Sequence, residues 1–316
     1  MKLWLFAIFI LTSFVSMLVG PHWINPFNMS IIESDILTEL RMPRVLFSAI
    51  IGAMLGLSGS VYQLTLKNPL ADSFTTGAAS SSALGAVLAI ALGVPVQFIS
   101  VFAFATGITG LLMVYRMSLT AGRINPITMI LAGVVMNIIA SAIISFSKYY
   151  FEDSLNSIVY WLMGGIFMVS WERVATCVAL FGLVFTYLHR NAMKLNVLAL
   201  DEHSAQSLGI NVNQLRTVVF VLSTLLVSVA VSFSGIIGFV GLIVPHISRS
   251  LFGSDMKNNM FYSSLFGAFL LMSSDTLSRV IIPGGAELPV GILTAVFGGV
   301  FFFYLLKRRR DHFWNG

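Results

Sequence analysis

Asp275 is the one acid deep in an apolar stretch of this chain, within Leu270-Leu-Met-Ser-Ser-Asp-Thr-Leu-Ser-Arg279. A carboxylate in that setting is a candidate proton carrier. Arg279 stands four residues on, on the same helix face, and can neutralise it, so the pair reads as structural with Arg279 reaching the outer surface. Other groups capable of chemistry are thinly spread. The five histidines, His22, His189, His203, His246 and His312, form no H-E-x-x-H and have no cysteine partners, because Cys177 is the sole thiol. A bare transition metal would find few ligands, and one thiol excludes an internal disulfide framework. There is no G-x-x-x-x-G-K-[ST] loop to hold nucleotide phosphates, and no Ser, His and Asp set at a common depth suggests hydrolysis. Transport or anchoring is left.

Four further segments carry unusual residues. Arg41-Met-Pro-Arg44 sits where a polar stretch enters an apolar one. It is either an interfacial anchor or a pair of outward cations that receive carboxylates of an extracytoplasmic partner, since Arg pairs with them bidentately; Pro43 suits the first helical turn. Lys67-Asn68-Pro69-Leu-Ala-Asp72-Ser is a Pro-broken turn, and the hydroxyl-rich run after it, with Ser80, Ser81 and Ser82, either packs or lines a pathway. In Leu198 to Arg216, Asp201 can cap a short helix whose Ala205 and Leu208 share a face, and Gly209 can end it. That segment is either a solvated loop helix or the surface a partner engine would push. Gly235, Gly238 and Gly241 followed by Pro245 fit a break between helices, and His246 beside them reads as a hydrogen-bonded structural residue. Glu287 and Pro289 open the last apolar stretch, where a carboxylate suits the positive helix end.

The elements that must position these residues follow from composition. The 316 residues are 57% hydrophobic and 10% charged with a mean hydropathy of +0.90, against about 25% charged in soluble domains. The fold class is an all-α polytopic membrane protein. One span needs roughly 20 apolar residues, so about eight to ten are available. We place a first, uncleaved span at 3–19, an external loop at 20–41 with room for a short surface helix, and spans at 45–65, 76–93, 96–115, 126–146, 174–188, 217–234, 236–250, 261–280 and 289–306. These ten form a single transmembrane domain, 1–316, whose longest cytoplasmic connection is 195–216. With the N-terminus inward, thirteen cations fall inside, including Lys2, Lys67, Arg216, Arg249 and Arg308 to Arg310, and five (Arg41, Arg44, Lys148, Arg173, Arg279) outside, so both termini are expected in the cytoplasm. The net charge of +5 therefore sets orientation rather than nucleic-acid binding. Glycines inside the spans, such as Gly52, Gly56 and Gly59, let backbones approach closely.

In this order the motifs resemble the permease subunits of the iron-siderophore (FecCD) family of ABC importers, which includes the cobalamin and haem importers. The resemblance runs from about Arg41 to Leu306 and rests on Arg-Met-Pro-Arg at 41–44, Leu-Ser-Gly at 57–59 and Asn-Pro-Leu-Ala-Asp at 68–72. It continues through Ser-Leu-Gly at 207–209, Gly-Phe-Val-Gly-Leu-Ile-Val-Pro-His-Ile at 238–247 and Glu-Leu-Pro-Val-Gly-Ile at 287–292. It implies a cobalamin-importer-permease-like (type II ABC importer) bundle of ten helices, two permease subunits around a central path, two cytoplasmic ATPases that hold ATP and magnesium, and an external substrate-binding protein. It further implies that Arg41, Arg44 and Arg279 receive glutamates from the two lobes of the binding protein. Asp201, Glu202, Ala205, Leu208 and Gly209 would belong to the coupling helices. Asn68, Pro69, Ser80, Ser81, Ser82, Gly235, Gly238 and Pro245 are the candidates for the translocation path or gate. Two departures stand out: the family usually has a glycine within 78–82 and a proline near Val300.

The expected function is a permease, without catalytic residues or a metal site of its own, that moves a ferric siderophore or similar iron chelate across the bacterial cytoplasmic (inner) membrane. ATP binding closes the partner ATPases, the coupling helices transmit the closure, and the bundle alternates between outward and inward openings. Cargo charge is then masked by the chelator. Haem or cobalamin import is the alternative cargo reading, and the permease pair is either two copies of this chain or two different chains. A proton-coupled transporter using Asp275 and a scaffold without translocation are the competing classes.

Overall fold

The computed structural model describes residues 2–120, 123–167, 169–282 and 285–313; the side chains of Lys2, Arg308, Arg309, Arg310 and His312, assigned above to the cytoplasmic side or weighed as ligands, lie outside the described residues. Ten longer helices coincide with the ten expected spans: α1 (Lys2–Leu18), α3 (Met42–Thr65), α4 (Ala78–Ala91), α5 (Val96–Ser118), α6 (Pro126–Tyr150), α8 (Trp171–Arg190), α11 (Val212–Ser234), α12 (Val240–Phe252), α13 (Met256–Ser278) and α14 (Val290–Phe313). Between them lie the short helices α2 (Ile31–Asp35), α7 (Leu155–Leu162), α9 (Ala192–Leu200) and α10 (Glu202–Ser207), and a small antiparallel pairing of β1 (Leu119–Thr120) with β2 (Arg123–Ile124).

Five helical stretches are long and apolar enough to cross a membrane, counting 31–65 as one, and four shorter apolar helices join them. The exception is α13. It has 23 residues, yet its composition is softened by Asn259, Ser263, Ser264, Ser274 and Asp275, all buried. Polar positions are tolerated there because the helix is enclosed by other helices rather than by lipid. A methyl group added at Gly52 would lie 2.1 Å from the Gly267 carbonyl oxygen, and one at Gly267 would lie 2.2 Å from that of Gly52. Gly56 abuts the Ser263 carbonyl at 2.2 Å, and Gly59 abuts that of Gly241 at 1.9 Å. Backbone therefore touches backbone along α3, α13 and α12, the arrangement small residues permit.

Two connections carry short helices of their own. The 20–41 loop ends early: Ser30 and Glu33 form a reciprocal capping box that starts α2, and a π-helical stretch, Ile36–Arg41, carries the chain into α3. Glu33, Asp35 and Glu39 do not break this helix because it stands largely exposed, with few side chains to bury. The 147–173 connection contains α7, and its following turn at Gly164 and Gly165 is pinned to the end of α11 by Gly165 N–H donating to Ser234 O at 2.8 Å.

Candidate functional site

At the N-terminal end of α3 the arginines converge. Arg44 Nε and Nη2 donate to Asp275 Oδ1 at 3.1 and 2.9 Å, and Nη1 reaches Glu287 Oε2 at 2.9 Å. Arg279 Nε lies 3.3 Å from Asp275 Oδ2, while its Nη1 and Nη2 donate to Val19 O and Ser16 O, each at 3.0 Å. Arg41 Nη1 donates to Leu18 O at 2.7 Å, and Nη2 to His22 O. Asp275 is fully buried and is clamped between two guanidinium groups, the condition under which an ionised carboxylate survives burial. The structural reading of Asp275 with Arg279 therefore gains a stronger partner, Arg44. Arg279 does not reach the outer surface: it is 3% exposed, because the open carbonyls at the end of α1 draw its guanidinium inward. In this structure Arg41 and Arg279 are buried and Arg44 is paired with two carboxylates, so the three stitch α1, α3, α13 and the start of α14 together.

Deeper in the bundle the glycine run does break the helix. Gly235 ends α11 at φ +66°, a conformation only glycine adopts readily, and α12 begins at Val240 with Pro245 inside it. The break at 235–239 packs backbone on backbone with its neighbours: Gly164 meets Ile236 O, and Gly291 N–H donates to Gly164 O at 3.2 Å. On one side lies a cavity of about 400 Å³ walled by Asp72, Phe74, Met163, Gly238, Phe239 and Ile292 among others. On the other lies one of about 330 Å³ lined by Tyr160, Trp161, Phe167, Phe233 and Gly235 among others. Asp72 is held on its own loop there, its Oδ1 accepting from Phe74 and Thr75 N–H at 3.0 and 2.9 Å.

The hydroxyl run does not line these cavities. Ser81 faces Gly110, and Ser82 faces Gly107 and Ser228; all three serine hydroxyls are buried without a hydrogen-bond partner, in the seam of α4 with α5 and α11. Ser80 donates to Asn137 Oδ1, and Asn137 Nδ2 donates to Phe74 O at 2.6 Å. Asn137, missed by sequence reasoning, thus links α4 and α6 to the cavity wall; a lone amide within Val-Val-Met-Asn-Ile-Ile was the available signal. Asn68 closes its own turn by accepting from Leu70 N–H at 2.9 Å, and Pro69 is exposed.

At the other end of α3, Asp201 caps α10 by accepting from Ser204 N–H at 2.9 Å, which holds its carboxyl below the usual range. Glu202 receives Arg216 Nη2 at 2.6 Å and Lys67 Nζ at 3.4 Å; the Arg216 hydrogen bond is the main cause of its lowered pKa. Arg216, itself buried, also donates to Ile124 O at 3.2 Å, and Ile124 N–H donates to Asn213 Oδ1 at 3.0 Å. The short helix is thereby fastened to the α5–α6 connection and to the end of α3. Ala205 is buried, but Leu208 is 69% exposed. The shared apolar face is absent because α10 stops at Ser207, and Gly209, at φ +77°, turns the chain away.

A family model described as the FecCD transport family matches residues 8–308. The chain belongs to that family. It is 36% identical over 298 residues to the ABC transporter permease protein YvrB of Bacillus subtilis, an alignment covering 91% of this chain and 84% of YvrB. It is 33% identical over 317 residues to the vitamin B12 import system permease protein BtuC of Vibrio cholerae, covering 97% and 93%. It is 35% identical over 293 residues to a "probable iron chelatin transport system permease protein" of Helicobacter pylori strain J99, covering 92% and 88%. A solved structure described as an inward-facing conformation of a metal-chelate type ABC transporter superposes with a TM-score of 0.89 at 32% identity, covering 96% of this chain and 97% of the other. This FecCD chain is thus a multi-pass ABC importer permease of the FecCD/BtuC type, a membrane component of a transporter rather than a catalyst.

Proposed function

We propose that this permease moves a ferric siderophore or similar iron chelate inward across the bacterial cytoplasmic membrane, with both termini in the cytoplasm. It works with a second permease subunit, two cytoplasmic ATPases carrying ATP and magnesium, and an extracytoplasmic binding protein. The observation that carries the cargo reading is the 400 Å³ cavity at the 235–239 break: its walls are Phe74, Met163, Phe239, Leu242, Ile292 and other mostly apolar residues, with Asp72 folded onto its own loop. Such a lining, with one carboxylate among mostly apolar side chains, suits a cargo whose metal charge is already masked better than a bare cation, which needs several oxygen ligands. The likeness to a vitamin B12 importer permease keeps cobalamin as a second cargo, and haem likewise carries its metal inside a macrocycle. The proton-coupled reading loses its support, because Asp275 spends its oxygens on Arg44 and Arg279.

Docking of the binding protein at the Arg41, Arg44 and Arg279 end requires an incoming carboxylate to compete with the internal partners described above. Coupling is assigned to α10, flanked by the exposed Leu200 and Leu208. A deletion strain supplied with labelled ferric siderophores, haem and cobalamin tests the whole: complementation with this chain restores ferric-siderophore uptake, and removing the partner ATPase abolishes it. Uptake that persists without the ATPase would overturn the assignment.

A further inference from the structure

Beside α10 a third pocket, of about 340 Å³, opens between the ends of α3, α9, α12 and α13, and Lys67, Ala199, Arg249, Ser254 and Asn259 are among its walls. Among the described residues no acid lines it. Arg249, in the last turn of α12, donates to Gln63 Oε1. Gln63 is nearly buried and is itself pinned by donating to Leu242 O at 3.1 Å. The guanidinium is therefore held in place by a neutral group, and among the described residues no carboxylate lies within 4 Å of it. Asn259 is 1% exposed. Its Oδ1 accepts from Ser263, but its Nδ2 has only the Met256 thioether at 4.0 Å, a weak acceptor. Asp255, the nearest acid in sequence, has its oxygens occupied by Asn258 N–H and Asn196 Nδ2.

Two cationic side chains around a pocket with no carboxylate among its described walls select an oxyanion. The pocket shares Lys67 with the Glu202 clasp of α10, and the same end carries Leu200 and Leu208, 83% and 69% exposed, as an apolar contact for a protein. We infer that this pocket is a socket for one carboxylate side chain of the cytoplasmic ATPase, gripped by Arg249 with Lys67 and the Asn259 amide. The inference rests on the importer reading proposed above. Seating the acid there places the ATPase against α10 and the ends of α3, α12 and α13 at once, so closure of the ATPases is delivered to three spans rather than to a single loop.

The test measures association of the intact permease, in phosphatidylcholine nanodiscs, with its purified partner ATPase. Arg249→Gln is expected to weaken association about tenfold, equal to about 1.4 kcal/mol, and Arg249→Lys, which keeps the charge but loses the fork, less. Ser254→Glu, on the exposed rim, places an acid of the permease's own in the socket and is expected to weaken association without touching Arg249. Wild-type binding that neither Arg249→Gln nor Ser254→Glu alters would overturn the inference. A loss seen only when phosphatidylglycerol is added would reassign the pocket to a lipid phosphate and equally overturn it. If the wild-type chain does not bind the ATPase at all, it is the importer reading that falls, and this inference with it.

Discussion

Replacing Asp275 by Asn isolates the role of the buried carboxylate. The wild-type cluster sets Arg41, Arg44 and Arg279 against Asp275 and Glu287, one net positive charge; the variant raises this to two. Removing one partner of a buried ion pair costs about 3–5 kcal/mol. The lower end applies here, because Arg44 keeps Glu287 at 2.9 Å and Arg279 keeps the Ser16 and Val19 carbonyls. A loss of about 3 kcal/mol corresponds to a fall of roughly 4–5 °C in midpoint temperature, taking about 2.1 cal/mol/K of unfolding entropy per residue over the 316 residues. Thermal unfolding of the detergent-solubilised permease, followed by its tryptophan fluorescence, reads this directly. ATP-driven uptake per folded molecule is expected to stay within twofold of wild type. The paired replacement Arg44→Met with Asp275→Leu is expected not to recover the lost stability, since Arg279 and Glu287 both lose their ion-pair partner. An Asp275→Asn variant that melts like wild type yet loses uptake would refute this reasoning and return Asp275 to the role of proton carrier.

Glu287→Gln removes the internal competitor for Arg44 and is expected to tighten binding-protein association roughly two- to fivefold, measured by interferometry; unchanged or weaker association would take Arg44 out of the docking site. Gly52→Val drives a side chain into the Gly267 carbonyl, 2.1 Å from the added carbon, and is expected to cost at least ~3 kcal/mol and to abolish the monodisperse peak in size-exclusion chromatography. Gly182→Ala, with open space around it, is expected to gain up to about 1 kcal/mol in helix α8, seen as a raised melting temperature. The Glu202 clasp has a pH signature. Its carboxyl titrates below the ordinary glutamate value of 4.5, so the clasp contributes fully above that value and is lost as pH falls through the lowered one. Protease cleavage within 192–212 is expected to stay constant from pH 7 to 5 and to rise below the glutamate range; Glu202→Gln is expected to cleave readily throughout.

Hydrophobic runs made the ten spans legible, even in α13, because a chain this apolar leaves little polar sequence to separate them. Side-chain partnerships across the bundle were another matter. The four-residue spacing of Asp275 and Arg279 is visible in one helix, whereas Arg44 lies 231 residues from Asp275 and Glu287 lies 243 residues from Arg44. Proximity of that kind is created only by packing. The hydroxyls of Ser81 and Ser82 suit a watery path as far as sequence goes; their neighbours are the α5 glycines Gly110 and Gly107, and complementarity between two helices is invisible in either alone. The pairing of Ala205 with Leu208 failed because three-residue spacing gives a common face only while the helix continues. The breaks at Gly235 and the α10 cap at Asp201 were legible, since both depend on local backbone chemistry.

The reciprocal seating of Gly52 on Gly267 has a mechanical consequence. Two rods whose main chains rest on each other with no side chain between them cannot slide by a turn without collision, and they have no compressible padding to absorb a tilt. α3 and α13 should therefore swing as one spar, pinned near one end by the Arg44 and Asp275 bond. Bending during the transport cycle is left to the segments already severed at 235–239 and 163–165.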